Sequence, residues 1–367
     1  MHPTSTKRRM QPKQEHVISR MREWIVNRRL KPGTRLPSRA EIGKQLDVSS
    51  LTVQQAFDRL AADGFVESFG RRGTFIADRP PHLSRCGIVF ASSPDSPDWS
   101  QFWAAMLQAT ADRRSSDEWD MPFFFNVNQL RSGDDYERLI DDIEQARLAG
   151  VVLTNAPHEL YGTPILDDKR LARAIVTGGS HYSDAVSVYP ETNTFIDRAL
   201  ERLAERGRRR VAFISAMRPV TQFEQYASAG VERLGMEVRP SWFQFVHPGS
   251  VEGAAGNVAR LLLDRPAPER PDAIVITDDN IVEQATIGIA ASGVRLPDDL
   301  DIVALCNFPT PPPSVVPVTR LGFDARAIMA VALDGVASLV AGKGGNRQVA
   351  ISARFEHELN NGPHAAS

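Results

Sequence analysis

Two periodicities and one asymmetry of charge predict an α/β protein in two unlike parts: an N-terminal winged helix-turn-helix unit, then a larger domain of parallel sheets divided into two lobes. In residues 1–80, apolar side chains recur at helical spacing and give way to a glycine-flanked basic hairpin. Beyond them, short continuous apolar runs alternate with helical stretches, the pattern of strands covered on both faces by crossover helices. The net charge is +8 over residues 1–80 and −10 over the remainder, so the overall −2 conceals a basic module on an acidic body. Such a division concentrates phosphate attraction at one end and keeps the rest of the molecule off nucleic acid.

Residues 13–27 place Val17, Ile18, Met21, Trp24 and Ile25 on one stripe and leave Arg20, Arg22, Glu23, Arg28 and Arg29 off it, which predicts a first helix. Pro32-Gly33 breaks it. Ser38 with Glu41 three residues later is a capping-box signature, in which hydroxyl and carboxylate each satisfy an orphan backbone N–H, so a short second helix starts at Ser38 and closes near Leu46. A third starts at Ser49 or Ser50, turns Val53, Phe57 and Leu60 inward and stops at Gly64. Ser50, Thr52, Gln54, Gln55 and Arg59 then face mostly outward. Residues 65–69 and 74–77 are β-prone and joined by Gly70-Arg71-Arg72-Gly73, which predicts a hairpin with two arginines at its tip. Arg71 and Arg72 have little packing to do there. Thr52, Gln54 and Gln55 are either base contacts or ordinary helix positions. Lys7-Arg8-Arg9, in a polar leader, either adds phosphate contacts or forms a solvated tail.

Taken in order, Pro32-Gly33, Leu36-Pro37-Ser38, Val48-Ser49, Thr52-Val53, Leu60, Gly64 and Gly73-Thr74-Phe75 make this stretch resemble the DNA-binding domain of the GntR family of bacterial repressors. The resemblance implies that the third helix enters the major groove, the start of the second touches the backbone, and the wing reaches toward the minor groove. It places the DNA-reading positions at Arg39, Ser49, Ser50, Thr52 and Gln54, with Gln55 beside them, and at Arg71 and Arg72. Ala40, Ser50 and Gln54 stand where the family often has arginine, and the wing loop is one residue longer. Glutamine prefers adenine edges and arginine guanine edges, so the operator is expected to depart from the family's commonest sequence.

Asp78-Arg79-Pro80-Pro81-His82 is the natural seam, because two prolines stiffen a connector where composition changes. The expected organisation is a DNA-binding domain over 1–79, ordered from about residue 12, a linker over 80–84, an effector-binding domain over 85–360 and a tail over 361–367. Runs at 87–91, 122–125, 150–153, 174–176, 211–214, 273–276 and 302–305 are continuous apolar strands, and 135–148, 191–206, 253–263, 280–292 and 324–340 are helical. That is βαβ organisation. Roughly 275 residues exceed one comfortable sheet, which favours two lobes. No run approaches the ~18 apolar residues of a membrane span and none follows the basic N-terminus as a secretory signal would, so a cytoplasmic protein is expected. Cys86 and Cys306 are too few and too far apart for a framework or a metal site, and the 8 histidines are scattered, so no metal or cofactor is expected. Neither a nucleophile elbow nor a P-loop points to an enzyme.

The stretches 199–214 and 279–300, within an alternation spanning most of 85–357, resemble the effector-binding domain of the LacI family of repressors, itself similar to periplasmic sugar-binding proteins. The resemblance implies two Rossmann-like lobes around a ligand cleft, a homodimer and a carbohydrate effector. Val188-Tyr189-Pro190 replaces an aspartate of the family, Glu224 falls near its ligand-contacting arginine, Ala304-Leu305-Cys306-Asn307 replaces its acidic turn, and Asp279 matches an acidic contact. Ligands of open α/β sheets bind beyond the carboxyl ends of the strands, which nominates Trp99, Asn155, Tyr189, Glu224, Asp279 and Asn307. Aromatic faces would stack on a sugar ring while Asp and Asn take its hydroxyls. Two alternatives stay open: Trp99 with Phe102 and Trp103 as core, and Asp279 as a cap for a helix starting near Asn280. The expected function is ligand-responsive transcriptional regulation, a repressor holding a palindromic double-stranded DNA operator as a dimer. A regulator with a non-sugar effector or none is the alternative, and a small-molecule enzyme is a weaker one.

Overall fold

The structure, a computed structural model, describes residues 12–28, 30–114, 119–176, 182–216, 220–247, 253–344 and 347–359. The basic leader at Lys7-Arg8-Arg9 and the tail over 361–367 lie outside them. α1 (Pro12–Asn27), α2 (Arg39–Leu46) and α3 (Ser50–Ala62) precede a two-stranded antiparallel ribbon of β1 (Val66–Ser68) and β2 (Thr74–Ile76). Val17, Ile18 and Ile25 of α1 meet Val53, Phe57 and Leu60 of α3, all at most 2 % exposed, with Phe65 closing the core. The capping box is present: Ser38 Oγ accepts from the Glu41 N–H at 3.3 Å and Glu41 Oε2 from the Ser38 N–H at 2.7 Å. At the wing, a 3-10 turn over Gly70–Arg72 lifts both arginines, and Gly70 and Gly73 adopt φ of 57° and 106°, which disfavour any side chain. One expectation is corrected here. Arg22, placed by helical periodicity on the solvated side of the first helix, is buried.

α4 (Pro81–Ser84) leads into the first lobe: β3 (Cys86–Val89), α5 (Gln101–Arg114), β4 (Phe123–Phe124), α6 (Asp134–Glu144), β5 (Gly150–Leu153), α7 (Pro164–Asp167), β6 (Ala172–Val176) and β7 (Val186–Glu191). The chain then crosses to the second: α8 (Thr192–Glu205), β8 (Val211–Ser215), α9 (Val220–Arg233), β9 (Phe243–Phe245), α10 (Ala254–Leu263), β10 (Ala273–Ile276), α11 (Val282–Ala291), β11 (Asp301–Phe308) and β12 (Thr319–Asp324). It returns for α12 (Ala325–Val340) and β13 (Gln348–Ser352), and ends in the second lobe with β14 (Arg354–Phe355) and α13 (Glu356–Leu359). Three crossings therefore join the lobes.

The first sheet runs β4-β3-β5-β6-β7-β13, all parallel, and the second β9-β8-β10-β11-β12-β14, parallel except for β14. Every residue of β3, β5, β8 and β10 is buried, because helices cover both faces. The helix expected over 135–148 stops at Glu144, and Ala146 takes a left-handed φ of 51°. The stretch expected over 280–292 divides into a 3-10 turn at Asp279–Ile281 and α11. β12 passes so close to β11 that a Cβ on Gly322 would lie 1.8 Å from the Cys306 carbonyl oxygen, which fixes the end of β11 where Asn307 stands.

Candidate DNA-binding face and effector cleft

α3 presents its N-terminus to solvent. Ser49 is its N-cap, with Oγ accepting the Thr52 N–H at 3.1 Å and lying 2.8 Å from the Thr52 hydroxyl, so both hydroxyls are oriented by the helix start they stabilise. Ser50 and Gln55 are exposed, and Thr52 and Gln54 half-buried. Gln54 Nε2 donates to Asp58 Oδ1 at 2.6 Å, one helical turn on. That bond pins the amide while leaving one N–H and the carbonyl oxygen, the pair an adenine edge requires. Arg39 at the start of α2 is exposed, its guanidinium 5.9 Å from the Phe57 ring centre. At the wing, Arg72 lies 5.9 Å from the ring of Phe69, which packs edge-on against Phe75 at 5.8 Å, while Arg71 is exposed. Leu51 belongs to this face too, although no motif in the sequence singles it out. It is 65 % exposed beside Ser50 on α3, where an apolar side chain suits a thymine methyl.

In the larger domain, the structure brings together Asp279 and Asn307, which follow β10 and end β11. Asn307 Nδ2 donates to Asp279 Oδ2 at 2.6 Å, and Asn307 and Asp279 are 3 % and 4 % exposed respectively. Burial, then the neighbouring Asp278, raises the Asp279 carboxyl to about 7. Asp279 is not the N-cap here: Asp278 caps the 3-10 turn, accepting from the Asn280 N–H at 2.9 Å, and α11 that follows has no side-chain cap. Asn307 Oδ1 is buried with no hydrogen-bond partner among the described residues. It is an acceptor suited to a hydroxyl donor.

In the first lobe, Trp99, Phe102 and Trp103 are partly buried and pack against the main core, as the alternative reading expects, within an aromatic cluster. The Trp99 ring centre lies 5.2 Å from that of Phe90, 5.7 Å from Trp103 and 6.1 Å from Phe125. Trp103 Nε1 donates to the Thr154 carbonyl at 3.4 Å, tying α5 to the end of β5. Between the lobes, Asn280 Oδ1 accepts from the Gln101 N–H at 2.9 Å, so a side chain of the second lobe caps the helix of the first. Trp99 and Asp279 therefore flank one lobe-to-lobe bond. Among the described residues, Asn155, next to Thr154, donates only to the Ala156 carbonyl at 3.4 Å. Tyr189 is half-buried in β7 opposite Ala350, and Glu224 half-buried on α9; among the described residues no hydrogen bond joins either to the Asp279–Asn307 pair.

Residues 13–76 match the family model of bacterial regulatory proteins, gntR family, and residues 200–355 that of periplasmic binding protein-like domains. The arabinose metabolism transcriptional repressor of Geobacillus stearothermophilus is 24 % identical over 320 residues, covering 81 % of this chain and 82 % of that one. An uncharacterized HTH-type transcriptional regulator of Bacillus subtilis is 34 % identical over 79 residues, which span 22 % of this chain and only 17 % of that protein. Among solved structures, a transcriptional regulator CelR–cellobiose complex superposes with a TM-score of 0.58 at 18 % identity, covering 84 % of this chain and 90 % of that one. A LacI family regulator from Lactobacillus casei with bound glucose gives 0.53 at 16 %, covering 74 % and 98 %.

Proposed function

Residues 13–76 are a gntR-family regulatory domain and residues 200–355 a periplasmic-binding-protein-like one, and from this we propose that the chain is a transcriptional regulator that grips operator DNA and answers to a small molecule. The observation that carries the reading is the joining, in one chain, of a basic winged helix to an acidic two-lobed body. The Geobacillus repressor of arabinose metabolism, similar across both parts, supports repression and a sugar effector. The assignment is residues 1–79 to DNA, 80–84 to the connector and 85–360 to the effector. Arg39, Ser49, Ser50, Thr52, Gln54, Gln55, Arg71 and Arg72 would meet the duplex. Asp279 and Asn307 would take ligand hydroxyls against the Trp99 wall, with Asn155, Tyr189 and Glu224 nearer the rim. A homodimer would space two recognition helices on a palindrome, in the cytoplasm, with no catalytic step.

Calorimetry against a panel of neutral mono- and disaccharides tests the sensing half. One compound should give saturable heat that Asn307→Ala abolishes, and it must change DNA affinity by the same factor by which DNA changes its own. If no sugar gives heat, the carbohydrate effector is wrong, and a regulator with another effector or none remains. Selection of bound genomic fragments would then point to the metabolite through the neighbouring genes.

A further inference from the structure

The winged helix and the first lobe meet along α1, and their contact is built around one buried cation. Arg22 is 6 % exposed. One terminal nitrogen donates to Asp63, the C-cap of α3, and the other to Gln145, the C-cap of α6 in the first lobe. Its guanidinium lies 5.6 Å from the Phe65 ring centre, and His82 of the connector helix stacks on the same ring at 5.6 Å and 10°. Arg59 holds the other Asp63 oxygen at 3.2 Å. On the lobe side, Arg147 pairs with Asp141 and Asp142, and Arg85, where the connector ends, reaches Asp142 at 3.6 Å. A hollow of about 240 Å³, lined by charged groups such as Glu23, Glu144 and Arg170, opens beside the contact. The two bodies thus meet through polar points around a polar gap, a junction that can be released and remade.

We propose that Arg22 is a positioning residue through which the first lobe sets the orientation of the recognition helix, one planar guanidinium holding the end of α3 and the end of α6 together. This rests on reading α3 as the recognition helix. An arginine fork offers donors to two acceptors in a fixed plane, so displacement of α6 is felt at Asp63. A lysine could not hold both acceptors in that plane. Arg22 Nε is already buried without a partner among the described residues, so loss of Gln145 leaves a second buried donor of the same guanidinium unsatisfied unless water enters, and entry of water parts the surfaces.

The test uses the full-length protein with Gln145→Ala, which leaves the Arg22–Asp63 pair inside the winged helix and so preserves its fold. Its small-angle scattering should show a broader pair-distance distribution than wild type. The α4 amides of Leu83 and Arg85, which donate to the Pro80 and Pro81 carbonyls, should lose roughly tenfold in protection against hydrogen exchange. Gln145→Glu keeps an acceptor opposite Arg22 and should restore both. Selection from a randomised duplex pool gives the functional readout: base preferences within each half-site stay unchanged, while the spread of half-site spacings widens for Gln145→Ala alone. Unchanged scattering and exchange, failure of the glutamate to restore them, or an unwidened spacing in a loosened protein would each overturn the proposal. Should none of the proteins enrich any duplex, the regulator reading fails, whereas scattering and exchange still decide whether Arg22 holds the two bodies together.

Discussion

At the scale of single residues, the wing arginines and His82 carry opposite kinds of argument. Arg71 and Arg72 are exposed and have no core to support, so Arg71→Ala with Arg72→Ala should leave stability nearly unchanged while weakening binding to every duplex. The slope of log affinity against log salt should flatten by about one to two units, one for each phosphate that the wing no longer neutralises. An unchanged slope would remove the wing from the interface. His82 is 8 % exposed, stacked on Phe65, with neither ring nitrogen bonded among the described residues, and burial lowers its pKa to about 4. A base whose folded pKa lies below its unfolded value near 6.5 binds fewer protons when folded. Its contribution is therefore complete above about pH 6.5 and is lost as pH falls toward 4, on the order of 3 kcal/mol. Asp279, raised to about 7, acts in the opposite direction over the same window, which is why the comparison needs a paired variant. His82→Phe keeps the stack without the titration, so its melting temperature should fall less than wild type's between pH 6.5 and 4.5; parallel curves would contradict the assignment.

At the scale of elements, α5 is the informative case. Its first N–H is satisfied by Asn280 from the opposite lobe and its third by Ser100 Oγ at 3.1 Å, so one bond both completes the helix cap and joins the lobes. Asn280→Ala removes a cap worth about 1 kcal/mol and should shift the lobes toward an open arrangement by roughly fivefold. Trp99 and Trp103 flank Gln101, so tryptophan emission should move to longer wavelength; an unaltered spectrum would show that this bond does not hold the cleft. Much of the framework is legible in the amino-acid sequence. β3, β5, β8 and β10 are continuous apolar runs because two helical layers cover them, and the Ser38–Glu41 box marks its own helix. β12 and β13 escape a reading by apolar runs because polar residues such as Thr319, Arg320 and Gln348 interrupt them, and β9 and β14 because three-residue and two-residue strands leave no periodicity. In the site, strand ends nominate both Asp279 and Asn307 but not the bond between them, since residues 28 positions apart meet only through the sheet order. Helical periodicity assigns Arg22 to solvent because it sees one helix at a time, whereas the side chain is buried by Asp63 and Phe65 of the winged helix together with Gln145 of the first lobe.

At the scale of the whole molecule, charge and architecture describe the same division. The winged helix carries the positive charge, the two lobes carry the negative, and Arg22 with α4 sits where they join. Among the described residues no helix is long and apolar enough to cross a membrane, and no group of three or more His, Cys, Asp or Glu is gathered as a metal would require. Ligand-driven closure can influence DNA only if the lobes, the connector and α3 move as linked bodies, which the Asn280 cap and the Arg22 bridge allow. The account depends first on the basic end being a duplex-binding surface. Its most direct test is an equilibrium titration of the full-length protein with a randomised duplex pool over a range of salt concentrations. Affinity should fall steeply and linearly in log–log form as salt rises, with one family of palindromic sequences enriched. Affinity absent at low salt, or insensitive to salt throughout, would contradict it.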